Sequence, residues 1–223
     1  MAQTAIFQDG VTGGGTFKDG SLYSAGSASA GNAVSSTIGQ ASVMGGIINY
    51  RTIIQMGLDE VPDNAIVTSG VLTVNVLTAA SATTNSFSAL RSSETDWTED
   101  GSHPTNAAKD GSNNWATAGG SVTTPNISCG LLPASTGSYD IDITGLVRDA
   151  VENRSKVLNI VLKDTSEGGG NEDTFVIKTG DNSTTADRPK LTVNYVEGGG
   201  AAGKARARAR PGLSKRNRKS FRG

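Results

Sequence analysis

Apolar and polar residues alternate along several short stretches of the chain, which is typical of β-strands with one face on a core and the other in water. In residues 191–195, leucine, valine and tyrosine occupy the odd positions, while threonine and asparagine occupy the even ones. Similar alternation predicts five clear strands, over residues 71–77, 139–143, 158–162, 175–179 and 191–195. A less regular pattern predicts a weaker strand over residues 47–58.

One stretch has the spacing of a helix instead. Between residues 144 and 152, Leu146, Val147, Ala150 and Val151 fall on one face, and Thr144 is placed to cap the N-terminus. A single short helix, among strands separated by long loops of Gly, Ser, Thr and Asn, predicts an all-β fold. The specific expectation is an antiparallel jelly-roll β-sandwich with one short helix.

The composition favours strands over long helices and excludes several classes of protein. Charged residues make up 18% and aromatic residues 5% of the chain, which argues against coiled coils. Cys129 is the only cysteine, so neither an intramolecular disulfide framework nor a cysteine zinc site can form. The first residues have no signal-peptide pattern, and no stretch reaches the roughly 18 apolar residues of a membrane span. We therefore expect a protein that is made in the cytoplasm and does not enter a membrane.

Charge is divided unevenly between the body of the chain and its C-terminal end. Residues 1–203 carry a net charge of about −10, whereas the last twenty residues carry nine basic side chains and no acidic one. The linker between them, residues 198–203, is rich in glycine. This pattern predicts a folded domain over residues 1–197 and a basic arm over residues 198–223. Within the domain, residues 1–46 form either the first strands or an N-terminal extension exchanged between subunits.

Four short motifs follow one another between residues 49 and 195. They are an opening segment, YRTIIQMGL at 50–58 with VP at 61–62, AI at 65–66 and SGVLTVNV at 69–76; a loop, DWTE at 96–99 with Trp115 and Gly119-Gly120; a strand-to-helix turn, YDIDITGLV at 139–147; and a closing strand, DRPKLTVNY at 187–195. In this order the motifs resemble the disaggregatase-related (DNRLRE) jelly-roll domains.

The resemblance implies a jelly-roll fold and a role that is not catalytic. Domains of that family are mostly modules of extracellular and surface proteins, some of which bind polysaccharides, and similar jelly rolls occur in bacteriophage virion proteins. Fold alone does not decide between these roles. The missing secretion signal and the basic arm favour a virion component that is synthesised in the host cytoplasm.

Residues suited to catalysis or metal binding are few. His103 is the only histidine, and no Gly-x-Ser-x-Gly motif accompanies it, so we predict no catalytic residues. Carboxylates cluster at residues 94–100 and 167–173. Solvated acidic loops explain these clusters without a ligand, and no EF-hand spacing is present. A structural Ca²⁺ ion held by loop carboxylates is the alternative, and no other metal or cofactor is expected.

Trp97 and Trp115 are candidates for binding carbohydrate, since flat rings stack on sugars while a neighbour such as Asn114 bonds to hydroxyl groups. Burial is the competing explanation. The chain has only eleven aromatic residues, so a domain of this size needs its large rings in the core, and we favour the core over a glycan platform.

The arm is the strongest sign of a binding partner, because its sequence cannot fold alone and attracts any acidic surface. Three targets stay open: the acidic surface of a capsid or other virion protein, nucleic acid, and the acidic body of another copy, which would give a homo-oligomer. The predicted binding residues are Lys204, Arg206, Arg208, Arg210, Lys215, Arg216, Arg218, Lys219 and Arg222.

The favoured function is a non-enzymatic bacteriophage protein that decorates or cements the capsid and is anchored through this arm. The first alternative is a carbohydrate-binding module of a phage tail or fibre that recognises host polysaccharide. The second alternative is a nucleic-acid-associated virion protein, in which the arm binds the packaged genome.

Overall fold

The computed structural model describes residues 1–11, 15–24, 31–43, 45–81, 84–168 and 172–198. These residues form eleven antiparallel strands, one α-helix and a single 3-10 turn. The α-helix is α1 (Thr144–Asn153). The strands are β1 (Ala2–Gln8), β2 (Phe17–Tyr23), β3 (Ser35–Val43), β4 (Gly46–Gly57), β5 (Ala65–Thr78), β6 (Ser86–Ser92), β7 (Val122–Leu131), β8 (Gly137–Asp142), β9 (Val157–Asp164), β10 (Asp173–Lys178) and β11 (Lys190–Glu197).

The predicted all-β, antiparallel fold with one short helix is confirmed. Each of the six predicted strands corresponds to an observed one, namely β4, β5, β8, β9, β10 and β11. Five further strands, β1, β2, β3, β6 and β7, were not predicted, because their sequences carry little apolar alternation. In β7, for example, none of the ten residues is fully buried. Residues 1–46 contain three of these strands, and all three pair within the same sheet.

Two long strands organise the sheet. On one side β4 pairs with β2, and on the other it pairs first with β3 and then with β9. In the same way β5 has β8 on one side and β11 followed by β10 on the other. The pairing of β3 with β10 joins these two halves into one continuous sheet.

The sheet folds over itself into a sandwich, because both halves contribute side chains to one apolar core. Leu72, Phe175 and Val193 come from one half, and Ile54 and Ile160 come from the other. Burying such side chains contributes roughly 1.5–3 kcal/mol each, which makes this core the main source of stability. Of the described residues, none forms a helix that is both long and apolar enough to cross a membrane.

Helix α1 packs against the core through the predicted face, with Leu146, Val147 and Ala150 buried. The prediction that Thr144 caps this helix is wrong. Thr144 is the first helical residue, the N-cap position is Ile143, and no side chain caps it. The Thr144 hydroxyl instead donates to Asp142 Oδ1 (2.6 Å) and accepts a hydrogen bond from the backbone N–H of Gly70 (2.9 Å). It therefore ties the start of the helix to β5.

A second, smaller apolar cluster covers the other face of the β2–β4–β9 layer. It consists of Leu22, Ile53, Val161, Trp97 and Trp115, of which the two tryptophans come from the long segment between β6 and β7. We call this segment, residues 93–121, the outer loop. Because the outer loop covers the layer, residues 158–162 of β9 are buried on both faces, although alternation alone would leave one face in water.

Candidate functional site

Both tryptophans are interior residues. Trp97 is 2% exposed and Trp115 is 5% exposed, and their rings pack together with centroids 6.5 Å apart. Each indole N–H also donates a hydrogen bond within the protein. The acceptor is Asn159 Oδ1 at 3.2 Å for Trp97 and the carbonyl oxygen of Thr105 at 2.8 Å for Trp115. Asn114 is exposed and forms an isolated bridge with Ala108. A stacking platform for sugars needs an exposed ring face, and these rings present none.

The single histidine lies in the outer loop beside a carboxylate. Its Nδ1 atom is 3.3 Å from Asp100 Oδ1, which also accepts hydrogen bonds from the backbone N–H groups of Ser102 and His103. In the described part of the chain, no serine hydroxyl lies within hydrogen-bonding distance of the His103 ring. The geometry therefore assembles no Ser-His-Asp arrangement there.

The two acidic clusters of the sequence are divided among separate structural tasks. Glu94 and Asp96 both bind Lys109 Nζ, at 2.8 and 2.9 Å. Glu167 binds Arg51 Nη2 and Lys163 Nζ, each at 2.7 Å. Burial alone would raise the pKa of Glu167, but hydrogen bonds from these two cations outweigh it and hold the pKa below its usual value.

Three carboxylate side chains that the sequence did not predict to be neighbours come together at one end of the sandwich. Asp19 of β2, Glu99 of the outer loop and Asp181 of the β10–β11 connection each bring a carboxylate oxygen within 4.8 Å of the other two. Asp19 is 0% exposed, Glu99 is half-buried and Asp181 is exposed. The three residues, called the acidic cluster below, are 80 or more positions apart in the sequence.

Hydrogen bonds to the backbone hold two of these side chains in place. The N–H of Asp19 donates to Glu99 Oε1 at 3.0 Å. This N–H is free to do so because, among the described strands, β2 pairs only with β4. The N–H of Gly180 donates to Asp19 Oδ2 at 2.6 Å. A Cβ atom at Gly180 would lie 2.5 Å from the Phe17 ring, so a side chain there would prevent this close approach.

One oxygen of the acidic cluster has no partner. Asp19 Oδ1 is fully buried and makes no hydrogen bond, and no Lys, Arg or His of the described residues forms an ion pair with Asp19, Glu99 or Asp181. A buried polar oxygen without a partner is costly and calls for an explanation. Of the neighbouring cations, Lys18 acts on Glu99 only through its charge, and Arg188 pairs with another carboxylate. Lys18 Nζ binds the carbonyl oxygen of Trp97 at 2.6 Å, and Arg188 Nη1 binds Asp9 Oδ2 at 2.6 Å.

The proximity of these carboxylates changes their acidity. Burial raises the pKa of Asp19 well above its usual range, and the negative charges of Glu99, Asp181 and Asp9 raise it further. Burial, with Asp181 and Asp9, also raises the pKa of Glu99 to about 7. The pKa of Asp181 is raised for the same two reasons, burial and the nearby Asp9. Negative charge in this cluster is therefore unfavourable unless a proton or a cation compensates it.

The acidic cluster suits ion binding better than acid–base catalysis. A catalytic carboxyl group has to reach its substrate, and Asp19 is fully enclosed, whereas a bound ion can use the enclosed oxygen of Asp19 together with Glu99 and Asp181. Sequence reasoning included Glu99 in a run of acidic residues but had no reason to join it to Asp19 or Asp181. The only signal in the sequence is an acidic residue beside a glycine, Asp19-Gly20 and Gly180-Asp181, and that pair is typical of ordinary turns.

A surface cavity of about 290 Å³ lies between β6, β9 and α1. Its charged lining residues are Arg91, Asp149 and Arg154, and Asp149 pairs with both arginines, at 2.9 and 3.5 Å. Ligand pockets are usually larger and mostly apolar, and here the arginines already share an internal carboxylate. We assign no ligand to this cavity.

The predicted arm residues, from Lys204 to Arg222, lie outside the described residues. The last described residue, Gly198, follows β11 and exchanges hydrogen bonds with Asn64 at 2.9 and 2.8 Å. The described chain therefore ends beside the β4–β5 connection.

A scan against protein-family models matches no family, and a search of curated proteins finds no relative of this chain. The resemblance to DNRLRE domains stays a prediction that rests on the four motifs.

Proposed function

We propose that this protein is a non-enzymatic structural component of a bacteriophage virion, a decoration or cement protein that its basic C-terminal arm anchors to the capsid. The observation that carries the proposal is the division of charge. Nine basic residues and no acidic one lie in the last twenty positions, against a net charge of about −10 in the rest. Such an arm binds an acidic surface without needing a shaped pocket.

The described body is consistent with a scaffold rather than an enzyme. Its large side chains fill two apolar clusters, and its ion pairs connect one segment of the chain to another. An arginine-rich arm suits a protein target, because guanidinium groups bind carboxylates through two parallel hydrogen bonds.

The two alternatives differ in which part of the protein binds. A carbohydrate-binding module would need a surface other than Trp97 and Trp115, since both rings are buried. A nucleic-acid-associated protein would use the same arm, so only the identity of its target separates it from a capsid decoration protein.

Co-sedimentation with capsids emptied of DNA tests the proposal. The partners are capsids of the phage whose genome encodes the chain, and the protein is kept full length. In the test variant all nine basic arm residues are replaced by glutamine. A matched control exchanges arginine for lysine and lysine for arginine at the same nine positions, which preserves the charge.

We expect the natural protein and the charge-preserving control to bind, salt to release both, and the glutamine variant to stay in solution. Binding to duplex DNA but not to empty capsids would contradict the proposal in favour of the nucleic-acid alternative. Retention on host polysaccharide by every variant, with no capsid binding, would favour the carbohydrate-binding module.

A further inference from the structure

We propose that Asp19, Glu99 and Asp181 bind one Ca²⁺ ion, which joins β2, the outer loop and the β10–β11 connection at one end of the sandwich. This site does not depend on the proposed capsid role, because it lies in the described body and none of its residues belongs to the arm. Its function is to hold the outer loop against the sheet.

The unpartnered oxygen of Asp19 points to a bound cation. Asp19 Oδ1 is buried in a 0% exposed residue, within a group of three carboxylates, and it accepts no hydrogen bond. The other carboxylate oxygen of Asp19, Oδ2, already accepts a hydrogen bond from the N–H of Gly180, and Glu99 Oε1 already accepts one from the N–H of Asp19. The remaining need is for positive charge at Oδ1, and no cationic side chain of the described residues supplies it.

The oxygen ligands of the acidic cluster decide which kind of cation it can bind. Carboxylate oxygens without nitrogen or sulfur select hard cations, chiefly Ca²⁺, Mg²⁺ and Mn²⁺. Ca²⁺ binds oxygen at about 2.3–2.6 Å, so two ligands on opposite sides of the ion are about 5 Å apart. The three oxygens lie within 4.8 Å of one another, which is compatible with that span. Mg²⁺ demands near-ideal octahedral geometry, keeps several of its waters and is usually bound by only one or two carboxylates, so three carboxylates favour Ca²⁺.

Water can supply the remaining oxygen ligands of the ion. Ca²⁺ takes six to eight oxygen ligands and accepts an irregular arrangement of them. Asp181 is exposed, so water has access to one side of the acidic cluster, while Asp19 closes the other side. Three carboxylates from three segments, with water on the open side, make a site that forms only when the sandwich is folded.

Protons are the alternative to a cation. With the pKa of Glu99 at about 7, a proton shared between Glu99 and Asp19 would also relieve the charge. In that case Asp19 Oδ1 would find its partner in a protonated carboxyl group, and the protein would have no saturable Ca²⁺ site. The two explanations therefore predict different results in a binding experiment.

The experiment is calorimetric titration of the full-length protein with CaCl2, after treatment with EDTA and exchange into chelator-free buffer. Thermal unfolding with and without CaCl2 is measured in parallel. We expect one saturable site per chain and a melting temperature that rises with CaCl2, because an ion that binds only the folded state stabilises that state.

Two variants and one control locate the site. Glu99→Gln keeps an oxygen for the Asp19 N–H but removes a charge, and Asp181→Asn changes an exposed residue, so we expect it to leave the fold intact. Each should weaken Ca²⁺ binding by more than about tenfold, since affinity follows the number of charged ligands. Glu60→Gln changes an exposed carboxylate in the β4–β5 connection and should bind Ca²⁺ like the natural protein.

The proposal is overturned if the natural protein shows no saturable heat and no change in melting temperature, which is the result expected from a shared proton. It is also overturned if both variants bind Ca²⁺ as tightly as the Glu60→Gln control. Equal or tighter binding of Mg²⁺ would refute the assignment to calcium. Because Asp181 is exposed, its variant decides the question even if Glu99→Gln fails to fold.

Discussion

The sandwich core and the outer loop both bury large side chains, but they are held together in different ways. The core is made of paired strands whose buried side chains are mostly apolar. The outer loop spans residues 93–121, and its only β-pairing is the single bridge between Ala108 and Asn114. It nevertheless keeps two tryptophans out of water.

Polar contacts hold the outer loop in place, whereas strand pairing holds the core together. Asn159 of β9 accepts from the indole N–H of Trp97 and donates to the backbone carbonyl of Glu94. The Glu94 carboxylate in turn binds Lys109 Nζ and the N–H of Ala116, both at 2.8 Å. Buried backbone groups need partners, and a segment without a ladder finds them in local backbone turns and among side chains. The comparison indicates that the core resists change globally, while the outer loop depends on a few named contacts.

The largest expected effect is in the core. Phe175 is 0% exposed, and its ring contacts that of Phe87 with centroids 5.2 Å apart. Phe175→Ala should lower the free energy of unfolding by about 3–5 kcal/mol, because it removes contacts and leaves a cavity. Urea unfolding should show one earlier transition for the whole molecule. Val176→Ala, at the next position on the partly exposed face, is the control, and an equal loss there would show that burial is not the cause.

A smaller and more local effect is expected where β9 holds the outer loop. Asn159→Ala leaves the Trp97 N–H and the Glu94 carbonyl without their partner, which costs about 2–3 kcal/mol in total. Amide hydrogen exchange within residues 93–121 should accelerate by roughly thirtyfold or more. The strands of the core should keep their protection. Asn153→Ala removes an exposed amide and is the control: it should change the exchange rates of neither the outer loop nor the core strands. Uniform loss of protection across the molecule in the Asn159 variant would contradict an outer loop that opens separately from the core.

The smallest expected effect concerns an ion pair that links the two regions. Arg51 of β4 binds Glu167 and also donates to the carbonyl oxygen of Gly119 at the end of the outer loop (2.9 Å). Since the pKa of Glu167 is lowered in the folded state, its stabilising effect is complete above the unfolded value of about 4.3 and is lost as the pH falls through the folded value.

Glu167→Gln should therefore lower the free energy of unfolding at pH 7 by about 1–2 kcal/mol. Below about pH 4 the free energies of unfolding of the variant and the natural protein should become more similar. The measurement is urea unfolding at a series of pH values. Glu152→Gln removes an exposed carboxylate of α1 and is the control. A difference that stays constant down to pH 3 would contradict the role given to the Arg51–Glu167 pair.

The strands that the sequence predicted are those with a strong apolar pattern. Residues 191–195 alternate because β11 lies with one face on the core, and the observed burial follows the same alternation. By contrast β2, FKDGSLY, reads as a polar loop. Its Ser21 is buried with a partner, because the Ser36 hydroxyl bonds to Ser21 at 2.7 Å and to Thr52 at 2.6 Å. A buried polar strand of this kind cannot be recognised before its partners are known.

The same distinction applies to the site. The sequence by itself determined the all-β class, the apolar face of α1 and the separation of an acidic body from a basic arm, because these depend on local periodicity and on counting charge. Only the tertiary structure decided that Trp97 and Trp115 are enclosed, that Glu94 and Glu167 have internal cations, and that Glu99 meets Asp19 and Asp181. Those outcomes depend on contacts between residues far apart in the chain, which the pairing of β2, β4 and β9 creates and which no local pattern encodes.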